Sequence, residues 1–281
     1  MPPIRCSLAT CSGVTRKKAL PMLYYYVFTF GRKTDWIKDA TPIEVGAAIN
    51  KNNLLYALHD DTGDNISSDN MYWGELTGLY WIWKNLKFND DDVLAFAHYN
   101  KKLNINNKKI NKLLSSGQYK WIVRKPSVMV KHTYPEDIFA LKEVLKDYSP
   151  KAYEAWNNIY DEYGASVDGH QNCSNCETFI TTYKEFENYC TFLFGVLSQV
   201  RTKIGDVDRK PYHKRYCAFL GERLLTVYLY MNGNKSIKYV DLVFNENFLK
   251  RNLRSICRAM KISKTPIGKL IHEERVSSYE K

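Results

Sequence analysis

No stretch of about 18 uncharged apolar residues occurs in the chain, so it offers no membrane-spanning helix. The first 22 residues carry Arg5, Arg16, Lys17 and Lys18 without a continuous apolar core, which argues against a secretory signal. Patterns of the helix-turn-helix, RNP and zinc-finger types are missing, which sets nucleic acid aside as the expected partner. No repeat or low-complexity block points to a solenoid. His170-x-x-Cys173-x-x-Cys176 lacks the second ligand pair that a structural zinc needs. The seven cysteines (Cys6, Cys11, Cys173, Cys176, Cys190, Cys217 and Cys257) are odd in number and dispersed. That usage fits a reducing cytoplasm rather than a disulfide framework.

What the chain has is length, positive charge and tyrosine. Its 281 residues suffice for one large core or two small ones. The net charge of +11 points to an anionic partner, either an acidic membrane face or a phosphorylated ligand. Tyrosines number 21 against 12 phenylalanines, a bias toward rings that also carry a hydroxyl. Such rings suit carbohydrate contact, and they suit a mixed core almost as well.

The sequence is organised around residues 64–85. Asp64, Asn65, Ser67, Ser68, Asp69 and Asn70 form a polar, turn-rich half. Leu76, Leu79, Tyr80 and Trp83 follow at i, i+3, i+4, i+7, the apolar stripe of a helix. Asn70 or Asp69 is placed to cap that helix, with Glu75 in its first turn, where the helix dipole favours a carboxylate. A capped core helix accounts for the stripe. The density of Asp, Asn and Ser, with Trp81 and Trp83 beside Glu75 and Lys84, suits a sugar-binding cleft instead.

The run from Asp60 through Asn85, D-x-x-G-D-N-I-S followed by N-x-Y-W-x-E-L-T-G-L-Y-W-I-W-K-N, closely resembles DUF4422, a bacterial family of capsular and exopolysaccharide biosynthesis proteins regarded as glycosyltransferases. Two further segments share the resemblance. Pro42-Ile43-Glu44-Val45-Gly46-Ala47 is similar to the family's Pro-x-x-Val-Gly-Ala. Arg215-Tyr216-Cys217-Ala218-Phe219-Leu220-Gly221-Glu222-Arg223-Leu224-Leu225 is similar to its Arg-x-x-Gly-Phe-x-x-Glu-Arg-Leu-Leu. The likeness spans roughly Leu23 to Tyr230.

In chain order, residues 1–22 read as an irregular leader. Leu23–Phe30 is a strand of buried length, whose end at Thr29 would open on the ligand crevice of an α/β sheet. Family members tend to end this strand in Thr-His-Lys, where this chain has Thr29-Phe30-Gly31. Val93–Ala97 is a second strand, running into His98-Tyr99-Asn100-Lys101-Lys102. Nucleotide-sugar transferases of the GT-A type usually carry a metal-holding Asp-x-Asp there; the family shows His-Tyr-Arg-Arg-like residues. Cations in that loop can neutralise a leaving diphosphate, although Lys lacks the planar fork of Arg; a solvated basic loop is the other reading. Residues 103–118 read as a surface helix, Tyr119–Val123 as a strand with a basic end at Lys125, and Pro135–Tyr148 and Pro150–Tyr163 as two helices. Cys176–Ile180 reads as a short strand, with Asn175 and Phe179 near the family's site. Tyr183–Leu197 is an amphipathic helix with Phe186, Tyr189, Cys190, Leu193 and Leu197 inward. Glu222 and Arg223 sit on a helix otherwise built for burial, either tied to each other or at a site edge.

Residues 246–281 form a basic tail in which Lys250, Arg251, Arg254, Arg258 and Lys261 interleave with Phe248, Leu249, Leu253, Ile256 and Met260. A basic amphipathic helix of this kind lies on anionic lipid, or else closes the domain with a solvated face. Alternating strands and helices predict an α/β fold: one GT-A-like, Rossmann-like mixed sheet over residues 23–245, flanked by helices and followed by the basic C-terminal helix. The resemblance implies transfer of a hexose from a nucleotide-diphosphate sugar, a UDP-sugar first, to a lipid-linked glycan, in the cytoplasm or on the inner face of its membrane. It assigns His98, Tyr99, Lys101, Lys102, Lys125 and Thr29 to the donor diphosphate. Asp64, Asn65, Asn70, Tyr80, Trp83, Asn175, Arg215 and Arg223 go to the sugars. Glu222 or Glu75 is the general base. Manganese or magnesium dependence stays open at this point, as does a noncatalytic glycan- or nucleotide-sugar-binding role.

Overall fold

The strand runs alternate between two apolar faces, and this alternation sets the architecture. In the computed structural model, which describes residues 21–127, 134–167, 177–233 and 236–245, eight strands share one mixed sheet. They are β1 (Leu23–Thr29), β2 (Thr41–Glu44), β3 (Val93–His98), β4 (Lys101–Leu103), β5 (Trp121–Arg124), β6 (Phe179–Thr182), β7 (Ile237–Val240) and β8 (Leu242–Phe244). The order is β2-β1-β3-β6-β5-β7, with β4 paired to the end of β3 and β8 to β4. β1 is parallel to β2 and β3, and β5 is parallel to β7. β6 is antiparallel to both neighbours, so its first residues lie at the carboxyl ends of β3 and β5.

Alternate residues of each strand point to opposite faces. Tyr26, Phe28, Leu94, Phe96, Trp121, Val123 and Phe179 join one large core. That core is completed by the helices α1 (Asn70–Trp73), α2 (Leu76–Asn85), α4 (Pro135–Tyr148), α5 (Pro150–Ile159), α6 (Tyr183–Ile204) and α8 (Tyr216–Met231). Val93, Ala95, Ile122 and Ile180 face the other way, where α3 (Asn107–Ser115) covers them with Ile110 and Leu114. A four-residue helix, α7 (Pro211–Lys214), leads into α8. The predicted inward stripe of α6 is buried at every position. Burial of each such ring or branched chain stabilises the fold by about 1.5–3 kcal/mol.

Several boundaries differ from the sequence expectation: β6 is Phe179–Thr182 rather than Cys176–Ile180, α3 is Asn107–Ser115 rather than 103–118, and Lys101–Leu103 is a strand within the expected basic loop. α5 ends at Ile159, because Tyr160 turns to extended backbone and bridges to Ser166. α6 continues to Ile204, because Val200 extends its buried stripe. The helix expected to start near Asn70 is broken at Gly74, whose φ of 54° ends α1 and lets α2 start anew. No helix among the described residues is long and apolar enough to cross a membrane. Residues 1–20, Asn175 with the His170–Cys176 motif, and the tail 246–281 lie outside the described residues.

Candidate active site

The break at Gly74 is where the site begins. A Cβ on Gly74 would stand 2.5 Å from Nη2 of Arg215, the residue at the start of α8. Glycine therefore supplies both the positive φ and the room for a guanidinium against the backbone. The side-chain amide of Asn70 donates to the Gly74 carbonyl (2.7 Å) and to Thr77 Oγ1 (2.9 Å), which fixes the turn. Asn70 in turn packs on Gly46, where a Cβ would lie 2.5 Å from Asn70 Cγ. The buried Asp60 carboxylate accepts the N–H groups of Gly46 (2.9 Å) and Ala47 (3.0 Å) beneath it.

Held this way, Glu75 Oε2 accepts from Arg215 Nη2 at 2.7 Å, and its Oε1 lies 3.8 Å from His98 Nε2. His98 ends β3 and is the register partner of Lys101 on β4. Its Nε2 is buried and has no hydrogen-bond partner. Burial first, then Lys101, holds the imidazole down to about 3, so His98 is neutral at pH 7. Burial pushes the Glu75 carboxyl up, but His98, Arg215 and Lys101 outweigh it and bring it to about 2. With the imidazole neutral, Arg215 is the hydrogen-bonded cation that keeps Glu75 ionised.

Two further carboxyls share this environment. Glu222, half-buried, sits seven residues after Arg215 on α8, about 10 Å further along the axis and on the same face. Burial raises its carboxyl above the ordinary range; Lys101 opposes that shift and Glu75 adds to it. Glu177, just before β6, is 1% exposed, and Tyr189 Oη donates to its two oxygens at 3.2 and 3.3 Å. Burial, then the nearby Glu75 and Glu222, pushes Glu177 well above the carboxylate range, which favours its protonated form. The arrangement combines an ionised carboxylate tied to Arg215, a neutral imidazole and two carboxyls shifted upward by burial. All stand at the carboxyl edge of β3, where open α/β sheets place ligands.

A family model described as a domain of unknown function, DUF4422, matches residues 32–233. The chain belongs to the DUF4422 family. Every residue of the cluster falls inside the matched segment. Among solved structures, the apo form of the bifunctional glycosyltransferase WbbM has a similar fold, with a TM-score of 0.65 and 22% identity. The likeness covers 80% of this chain and 46% of WbbM, so the chain corresponds to less than half of that protein. Comparison with curated proteins gives no match.

In this DUF4422 chain the structure brings together Glu75, His98, Lys101, Arg215 and Glu222 from the residues singled out in the sequence. Glu177 was missed. Its signal was a carboxylate directly before an apolar strand, at the edge where β3 ends. Other candidates are engaged differently. Thr29 Oγ1 donates to the Arg32 carbonyl at 2.6 Å, knitting the loop after β1. Tyr99 uses its carbonyl to accept Trp36 Nε1 at 2.6 Å. Lys102, on the opposite side of β4 from Lys101, lies 5.3 Å from the Trp36 ring centroid. Lys125 pairs with Asp241 at the surface, 2.8 Å apart.

The aromatic half of the central stretch builds the contact between α2 and α6. Tyr80 and Trp83 meet Phe194 at 5.1 and 5.5 Å. Asp64 accepts from Tyr80 Oη at 3.0 Å, and Asn85 clamps its backbone from both sides. Asn65 closes its own turn with Gly63 and Ser67. Of the residues expected to hold sugars, Asp64, Asn65, Tyr80 and Trp83 make these contacts with one another and with α6, away from the Glu75 cluster's hydrogen bonds. Asn70 supports the Glu75 turn from beneath. Arg223 is buried and donates to the carbonyls of Gly164 and Phe219, both at 2.8 Å. It therefore anchors α8, while Glu222 lies within electrostatic reach of the cluster.

Among the described residues, no three His, Cys, Asp or Glu side chains are grouped to hold a metal ion. Glu75 accepts from Arg215, which takes that carboxylate out of a metal's donor set. The cations of the cluster are Lys101 and Arg215.

Proposed function

We propose that this protein is a glycosyltransferase. It moves a hexose from a nucleotide-diphosphate sugar, a UDP-sugar first, to a lipid-linked glycan during assembly of capsule, exopolysaccharide or O-antigen. The observation that carries the reading is the half-buried Glu222 carboxyl on α8, within electrostatic reach of Lys101 and Arg215 at the carboxyl edge of the sheet. The fold likeness to a bifunctional glycosyltransferase supports the same class.

In this mechanism Glu222 takes the proton of the acceptor hydroxyl as that oxygen bonds to the anomeric carbon of the donor. The bond from that carbon to the diphosphate oxygen breaks, and the departing negative charge meets Lys101 and Arg215. Glu75 accepts from Nη2 of Arg215 and so orients the guanidinium. A carboxyl held near 2 is a weak base, which favours Glu222 over Glu75 for the proton. His98 supplies a neutral wall and a buried nitrogen facing the cluster.

The test is donor turnover over a panel of nucleotide sugars, with manganese and with chelator. One preferred donor, hydrolysed slowly without acceptor and undiminished by chelator, supports cationic stabilisation of the diphosphate. Loss of turnover in chelator overturns that part. No turnover of any donor leaves a glycan- or nucleotide-sugar-binding protein.

A further inference from the structure

A row of aromatic rings runs from the start of α4 to the site. Arg209 is held by Asp137 at 2.7 and 3.0 Å and by Glu136 at 3.1 Å, and lies 3.9 Å from the Tyr134 ring centroid. Tyr134 meets His213 edge-on at 5.6 Å, His213 meets Tyr212 at 5.4 Å, and Tyr212 meets Phe219 at 5.2 Å. Phe219 stands four residues after Arg215 and three before Glu222, so it shares their face of α8. The row thus ends on the helix face that carries the candidate base. Tyr134 is 37% exposed and Tyr212 44%, so both rings reach the surface.

The chemistry of the row selects the ligand. The rings carry hydroxyls and an imidazole rather than aliphatic groups, which suits a surface that is apolar on one side and hydrogen-bonding on the other. The Arg209 guanidinium is already paired with Asp137 and Glu136, so the rings rather than that cation form the contact surface. We propose that Tyr134, His213, Tyr212 and Phe219 form a platform for a neutral carbohydrate, with sugar C–H faces against the rings and hydroxyls toward the phenols. The platform places that carbohydrate as the acceptor beside Glu222, a role that rests on the transferase reading; binding to the rings does not.

The test uses the full chain and no donor. Lactose, maltose and N,N′-diacetylchitobiose are titrated by calorimetry. At least one binds, and Tyr134→Ala and Tyr212→Ala each weaken it about tenfold, the scale of one lost ring contact. Tyr212→Phe retains most of the affinity. Tyr230→Ala, at a tyrosine 41% exposed near the other end of α8, retains all of it. Saturation-transfer NMR on the unaltered protein, irradiated at ring frequencies, delivers saturation to the sugar protons and needs no variant. Absence of saccharide binding, or affinity unchanged in both alanine variants, overturns the platform. Donor turnover with no dependence of saccharide binding on these tyrosines refutes the platform alone. Tyrosine-dependent binding without donor turnover refutes the transferase reading alone.

Discussion

At the residue scale, three glutamates within one environment are shifted in different directions, Glu75 down and Glu177 and Glu222 up, and each shift makes a separate prediction. Glu222→Gln removes the proton acceptor, so transfer falls by about 10²–10⁴-fold, the usual worth of a general base. Because the unprotonated carboxylate is the working form and its pKa is raised, the acid limb of the wild-type pH–rate profile lies above the ordinary carboxylate range. That limb disappears from the residual activity of the variant; a limb that persists assigns it to another group. Glu75 carries the opposite sign. Its folded pKa of about 2 lies below the unfolded value, so its stabilisation is full above the unfolded pKa and fades as pH falls toward 2. Glu75→Gln leaves Arg215 without its buried carboxylate and costs about 3 kcal/mol at pH 7 by denaturant titration. Glu177 is the third case. Folding favours its protonated form while the unfolded chain releases the proton near the ordinary carboxylate pKa, so stability declines as pH climbs from there through the raised folded value. Melting temperatures of wild type and Glu177→Gln compared at pH 5 and pH 8 test this: the wild type loses more on going to pH 8, and equal losses refute the assignment.

At the element scale, the site depends on a helix that stops and restarts. Asn70, Gly46 and Asp60 hold the turn, and Gly74 leaves the space that Arg215 fills. Gly74→Ala adds a methyl 2.5 Å from the guanidinium at a φ that L-residues avoid. We expect a loss of about 1–3 kcal/mol in stability from the strained backbone, together with loss of donor turnover as Arg215 is displaced; a variant with wild-type melting and turnover refutes the role of the break. This feature also shows where sequence reasoning stops. Periodicity located α2 and its stripe, because Leu76 and Leu79 obey the 3.6-residue repeat. It placed Glu75 in a continuous first turn, because nothing local distinguishes a glycine that accommodates a neighbouring arginine from one that merely follows a tryptophan. Arg215 is 140 residues away in sequence, and only the fold brings it to Gly74. The aromatic residues are a second case. Tyr80 and Trp83 carry the composition of a sugar cleft, and their rings meet Phe194 of α6.

At the scale of the whole molecule, the two-faced strands made the mixed sheet legible, and the end of β3 could be placed at the ligand edge before any coordinates. The convergence of β6 on that edge could not, since an antiparallel strand inserted between parallel ones leaves no local mark in its own sequence; Glu177 stayed hidden for that reason. The positive charge is the other global property. Lys250, Arg251, Arg254 and Arg258 interleave with Phe248, Leu249, Leu253 and Ile256 at helical spacing, while the carboxylates of the candidate site lie upstream of them. A surface of that composition attracts an anionic bilayer by about 1 kcal/mol per basic residue near it. Full-length protein is therefore expected to sediment with vesicles containing phosphatidylserine and to be released as salt rises. Replacing the four basic residues by glutamine should weaken binding by at least about 10²-fold, with donor turnover in solution as the check that the site persists. Equal sedimentation with neutral vesicles, or binding indifferent to the four substitutions, assigns the tail to closing the domain and removes the membrane from the acceptor side of the reaction.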